Sequence, residues 1–262
     1  VVKLWPFKSS PFLSAVEEEW QAAVWRWFLQ HLGGLVDFRQ SPFVTPNATF
    51  FPATNNTGHA RALAIFAMVK EHAGLQEWEC ELVEQPSRPD ARVGEVTAQV
   101  FDKHDPLGTF GPEGNKIVIT YDPGLLDDPM ALIATFIHEL GHYLLHAQPE
   151  PPPGGEETEE LATDLVTVYL GFGLFGANSA FNFQQYTDTH SQGWRTSRQG
   201  YLNERMWCYA LAIFFLLRGE DIAQAKPFLK SHLYSDLRKA TAYLRKHPER
   251  LPSLSPHGGQ RE

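Results

Sequence analysis

The sequence predicts an α+β protein that is mostly helical and carries a small sheet ahead of its central helix. Two observations lead there. Apolar residues recur at helical spacing along most of the chain, but Trp78, Cys80 and Leu82 alternate with Glu77, Glu79 and Glu81 as in a half-buried strand. The strand-like segments all lie before residue 122, and helix-like ones dominate after it, which is an α+β order.

Taken in order, Ser14-Ala15-Val16-Glu17 is a capping-box pattern. It opens a helix that runs to about Leu32 and stops at Gly33-Gly34, with Trp20, Val24, Trp27 and Phe28 near one face. A Pro-, Thr- and Asn-rich loop follows from Ser41 to Gly58. A second helix is expected from about Thr57 to Ala73, ended by Gly74. The alternating segment at Trp78 to Leu82 is the first strand, and Val93 to Phe101 is the second. Asp102 to Asn115 is rich in Gly, Pro and Asp and reads as a loop. Lys116 to Tyr121 is the third strand.

Asp127-Asp128-Pro129 then signals a helix start, with Asp as the cap and Pro in the first turn. Leu132, Ile133, Phe136, Ile137, Leu140, Leu144 and Leu145 give this helix an apolar stripe, and it ends before Pro149. Gln148 to Glu157 holds four prolines and two glycines and reads as a linker or mobile loop. A fourth helix is expected from about Glu157 to Leu170. The uncharged stretch Leu165 to Phe183 approaches membrane-spanning length. Its Gly171, Gly173, Gly176, Asn178 and Ser179 favour a buried helix followed by an irregular apolar loop, so no stable membrane insertion is expected. Helices over Tyr201 to Arg218 and Ser231 to His247 complete the chain. The reading is one domain over residues 1–252. Helices and the sheet fill 1–121, the central helix and the helical remainder fill 122–252, and 253–262 form a disordered tail.

The 262 residues carry a formal net charge of −9 and lack a strong basic cluster, so nucleic acid is not an expected partner. The Lys and Arg residues near the C-terminus alternate with apolar ones, as on a solvated helix face. Cys80 and Cys208 are far apart, form no C-x-x-C, and sit in apolar stretches. Two buried free thiols suit a reducing compartment. Val1 to Pro6 has no long apolar core of the signal-peptide kind, and the expected location is cytoplasmic.

The chemistry concentrates in His138-Glu139-Leu140-Gly141-His142, an H-E-x-x-H pattern inside the central helix. Residues four apart on a helix differ by about 40° in direction, so both imidazoles face one way and can grip one zinc ion. Glu139 is then placed to take a proton from a zinc-bound water. A catalytic zinc needs a third protein ligand and leaves one position for water. The fourth helix offers Glu160, with Asp164 one turn on and able to orient a ligand histidine from behind. Asp164 itself and Glu157 remain alternatives for the third ligand. Glu156 and Glu159 are expected to point to solvent. His146 lies about 12 Å along the helix from His138, too far to share its ion, and is expected to cap the helix or support the site.

H-E-x-x-H followed by E-x-x-x-D on a later helix resembles the gluzincin division of zincin metallopeptidases. The run from His138 to His146 is also similar to the active-site helix of ImmA/IrrE-type bacterial metallopeptidases. The likeness covers roughly Lys116 to Gly171. It implies a zincin-like fold, with a small twisted sheet packed on the active-site helix and an edge strand, here Lys116 to Tyr121, beside a peptide or protein substrate. It implies a zinc peptidase with His138, His142 and Glu160 as ligands and Glu139 as general base. Oxyanion stabilisation requires a further donor. His190 and Tyr201 are the first choices, with Arg195 and Arg205 behind them. The other reading is a catalytically silent, zinc-stabilised binding or regulatory module on the same scaffold. No helix-turn-helix pattern accompanies the motif, so no role in repressor cleavage is expected. Oligomeric state does not follow from the sequence.

Overall fold

The computed structural model describes residues 11–85, 108–113, 116–187 and 202–252. Eight α-helices and three strands lie in these segments. The first helix, α1 (Ala15–His31), starts as the capping box requires: Ser14 Oγ accepts from Glu17 N, and Glu17 Oε2 accepts from Ser14 N. After the Gly33-Gly34 stop a short helix, α2 (Gly34–Gln40), begins at once. The sequence reading assigned no element between Gly34 and Ser41. Its Phe38 is buried edge-on to Trp25 and stacked on Tyr169, which locks α1 to later elements. Helix α3 (Gly58–His72) matches its expected span.

The sheet has the order β1-β3-β2, with β1 (Glu81–Glu84) parallel and β2 (Gly108–Glu113) antiparallel to β3 (Lys116–Tyr121). Three expectations are corrected here. The first strand starts later than Trp78. Leu82 is its buried residue, opposite Ile119, while Trp78 instead packs edge-on against Tyr143. Part of the expected loop Asp102 to Asn115 is β2. Pairing with β3 overrides the turn-like composition, and among the described residues β2 pairs on one side only, a position that tolerates Pro112. Lys116 to Tyr121 matches its predicted span but is paired on both sides, so it is not the expected edge strand. The expected strand Val93 to Phe101 and the tail 253–262 lie outside the described residues.

Helix α4 (Pro129–His146) begins as anticipated, with Asp128 Oδ1 accepting from Ala131 N at 3.1 Å. Every residue from Ala131 to Gly141 is buried, so α4 is the central rod of the molecule. A single 3-10 turn (Glu156–Thr158) leads into α5 (Glu159–Tyr169), whose residues from Ala162 onward are buried on all sides. The expected irregular loop after residue 170 is corrected: α6 spans Gly173–Thr187. Its glycines are packing devices rather than breakers. A Cβ on Gly176 would fall 2.1 Å from Cη2 of Trp207, so only glycine lets α7 (Glu204–Arg218) lie against α6.

Helix α7 is capped by Asn203, whose Oδ1 accepts from Met206 N at 3.0 Å, and α8 (Ser231–Lys246) packs on α7. Arg238, Lys239, Arg245 and Lys246 are exposed, the solvated face the sequence suggested. One apolar cluster runs from Phe12 to Leu244 and joins all these layers. Both cysteines are free thiols. Cys208 is buried but Cys80 is only half-buried, a small correction. Among the described residues no helix is long and apolar enough to cross a membrane.

Candidate metal centre

The site forms where α4 meets α5. Gly141 governs how closely they approach: a Cβ there would lie 3.0 Å from Val166 Cγ1 and 3.1 Å from Thr163 Cγ2, both on α5. Without that side chain α5 settles against the His138–His142 face and brings its acidic first turn to the imidazoles. The two rings stand edge to face, with centroids 4.8 Å apart.

Glu160 spans them. Its Oε2 is 3.1 Å from His138 Nε2 and its Oε1 is 3.5 Å from His142 Nε2. On the other side of the first ring, His138 Nδ1 donates to Asp164 Oδ1 at 3.0 Å. The second oxygen, Asp164 Oδ2, accepts from Leu202 N at 2.8 Å. Asp164 is therefore held from two directions and fixes the orientation of His138. It faces Nδ1, the nitrogen turned away from Glu160. Glu157 is exposed in the 3-10 turn and is not part of the cluster.

A further contact was missed by the sequence reading. Glu159 does not point away: its Oε1 lies 3.5 Å from His142 Nδ1 and 3.4 Å from His146 Nε2. The apolar-stripe argument failed because Gly141 lets the first turn of α5 sit close to α4, so Glu159 and Glu160 both reach His142 although both stay part-exposed. His146 caps its own helix, with Nδ1 donating to His142 O at 2.9 Å. Thr163 Oγ1 donates to Glu159 O at 2.9 Å and stands 3.3 Å from His142 Nδ1.

Electrostatics follow from this packing. Burial disfavours charge on His138, but its hydrogen bonds with Asp164 and Glu160 outweigh burial and push its pKa up to about 10. For Glu160, burial acts upward, yet the two imidazoles hold its carboxyl far below the usual range. Glu139 is 6% exposed, and burial pushes its carboxyl up, partly offset by the two histidines. A raised carboxyl is suited to accepting a proton near neutral pH.

The donor set suits a metal ion. The ligand atoms of His138, His142 and Glu160 lie within 4.8 Å of one another. A tetrahedral zinc with bonds of ~2.0–2.1 Å separates its ligands by ~3.3 Å, close to the 3.1 and 3.5 Å between Glu160 and the imidazoles. Two neutral imidazoles and one carboxylate are also the donor types zinc accepts.

Of the proposed oxyanion donors, His190, Arg195 and Tyr201 lie outside the described residues. Arg205 is engaged elsewhere: its guanidinium donates to Phe12 O and stacks over the Phe12 ring at 4.3 Å. Compared with protein-family profiles, curated proteins and solved structures, the chain matches none. The functional reading therefore rests on the residues and their geometry.

Proposed function

We propose that the chain is a zinc-dependent metallopeptidase of the gluzincin kind. The observation that carries this reading is the meeting of His138 Nε2 and His142 Nε2 at the Glu160 carboxylate, with Glu139 buried beside them. His138, His142 and Glu160 would hold the ion. When bound, zinc supplies a Lewis acid for a peptide carbonyl and brings the pKa of water toward neutrality. Glu139 takes up the proton of the attacking water and delivers it to the leaving amine. Asp164 keeps His138 in the tautomer that presents Nε2 to the ion. The buried surroundings of Glu139 and His138 limit competing water and strengthen each charge interaction.

A peptide substrate is supported by the sheet. Among the described residues β2 pairs with β3 alone and lies beside α4, and an extended peptide can add to such an edge through backbone hydrogen bonds.

A second reading, a zinc-stabilised module without turnover, draws on the low exposure of Glu139, since a general base must reach water. One experiment separates the two. Elemental analysis of the purified chain should find about one tightly held zinc, lost in His138→Ala and His142→Ala. A peptide-library digest should show cleavage by the wild type and none by Glu139→Gln with its zinc retained. Zinc without cleavage of any peptide selects the silent module. No zinc at all sinks both.

A further inference from the structure

The acidic first turn of α5 faces α4 with two carboxylates, and the proposed centre uses only one. Glu159 stands on the outer side of His142, where its Oε1 is 3.5 Å from His142 Nδ1 and 3.4 Å from His146 Nε2. The ligand atoms of His142, His146 and Glu159 all lie within 4.8 Å of one another. Both separations again approach the ~3.3 Å expected between ligands of a tetrahedral zinc.

A second observation bears on the tautomer. His146 Nδ1 donates to the carbonyl of His142 at 2.9 Å, which leaves the ring's lone pair on Nε2, the atom turned toward Glu159. The backbone of α4 thus orients His146 for ligation in the way Asp164 orients His138. The side chains of His146 and Glu159 are 52% and 39% exposed, so an ion reaches them from solvent without any opening of the core.

We infer that His142, His146 and Glu159 form a second, weaker site for a divalent transition-metal cation, sharing His142 with the inner centre. His142 serves the inner ion through Nε2 and the outer one through Nδ1. An outer ion displaces the Nδ1 proton and lies close to another cation, so it binds less tightly than the inner one. The outer site stands on its own ligands Glu159 and His146 and does not depend on peptidase activity.

The test is zinc uptake by the metal-stripped full chain, by equilibrium dialysis from substoichiometric zinc to about 100-fold excess, with bound metal counted by elemental analysis. The expected wild-type curve has two steps and ends at two ions per chain. His146→Ala and Glu159→Gln should each remove only the weaker step. Glu160→Gln should remove only the tighter step, and His142→Ala should remove both. His146 is exposed in the last turn of α4, so its replacement leaves the fold intact, as circular dichroism would confirm. A wild-type curve that stops at one ion, lost in His138→Ala and kept in His146→Ala, overturns the outer site and leaves the inner centre standing. A second step that survives in both His146→Ala and Glu159→Gln also overturns it. One ion lost in His146→Ala but kept in His138→Ala supports the outer site and sinks the inner one.

Discussion

Glu160 and His138 are joined at 3.1 Å through Oε2 and Nε2, while the opposite nitrogen of the same ring is held by Asp164 at 3.0 Å. One imidazole thus lies between two carboxylates in a buried place. In the metal-free chain that arrangement favours the imidazolium, and the pKa of His138 rises to about 10, against burial.

Zinc must displace that proton. At pH 7.5 the binding of the inner ion should release about one proton from His138, since a ligating nitrogen has to be neutral. Isothermal titration calorimetry in buffers of different ionisation enthalpy measures this directly. A binding enthalpy that is independent of buffer would contradict it.

The same pair sets a pH dependence for the metal-free fold. His138 has a raised folded pKa, so its contribution is fully present below its ordinary value of 6.5 and is lost as pH rises through about 10. Glu160 has a depressed pKa, so the contribution is present above the ordinary carboxylate value of 4.5 and is lost on strong acidification. Both shifts describe one interaction. Urea unfolding of the metal-free chain should show stability falling between pH 6.5 and 10. His138→Ala should flatten that slope.

Asp164→Asn should weaken zinc binding by about 10- to 100-fold, the usual effect of losing a carboxylate behind a ligand histidine. The variant keeps an acceptor for Leu202 N, so the fold should persist. Competition with a zinc chelator reads the change, and an unaltered affinity would remove Asp164 from the site.

Gly141→Ala sets two effects against each other. Alanine gains about 1 kcal/mol of helix propensity over glycine. Its Cβ meets Val166 and Thr163 at 3.0–3.1 Å, and overpacking of that kind costs about 1–3 kcal/mol. Net stability should fall by no more than ~2 kcal/mol. Zinc affinity should fall further than stability, because α5 carries Glu160 and moves with the clash. Thermal unfolding and chelator competition on the same samples compare the two.

Glu18→Ala tests the scaffold away from the metal. Glu18 is 1% exposed, accepts from Tyr243 Oη at 3.0 Å, and has Arg250 Nη1 at 3.6 Å, which ties α1 to the C-terminal segment. Truncation leaves the part-buried Tyr243 hydroxyl and the buried Leu13 N–H without this acceptor and should cost about 1–3 kcal/mol with no change in zinc content.

Much of the chain was legible because its signals are local. Ser14 with Glu17, and Asp128 with Pro129, mark helix starts through contacts within four residues, and the structure places both caps where the pattern put them. The span of β3 follows from its unbroken β-branched and aromatic run. The elements that were misread depend on distant partners. Strand β2 exists because β3 offers it a ladder, despite Gly111 and Pro112. Helix α6 keeps Gly176 because Trp207 occupies the space of its side chain.

The site divides the same way. His138, Glu139 and His142 share one helix, and a 3.6-residue turn alone puts the two imidazoles on one face. The sequence by itself therefore determined the pair and the glutamate beside it. Which carboxylate meets which nitrogen was decided only by tertiary structure. Glu159 and Glu160 are adjacent in sequence and about 100° apart on a helix, so no local pattern predicts that both turn toward α4. They do so because Gly141 lets the part-exposed first turn of α5 approach α4 closely. That contact divides the acidic turn between the inner face of His142 and its outer face.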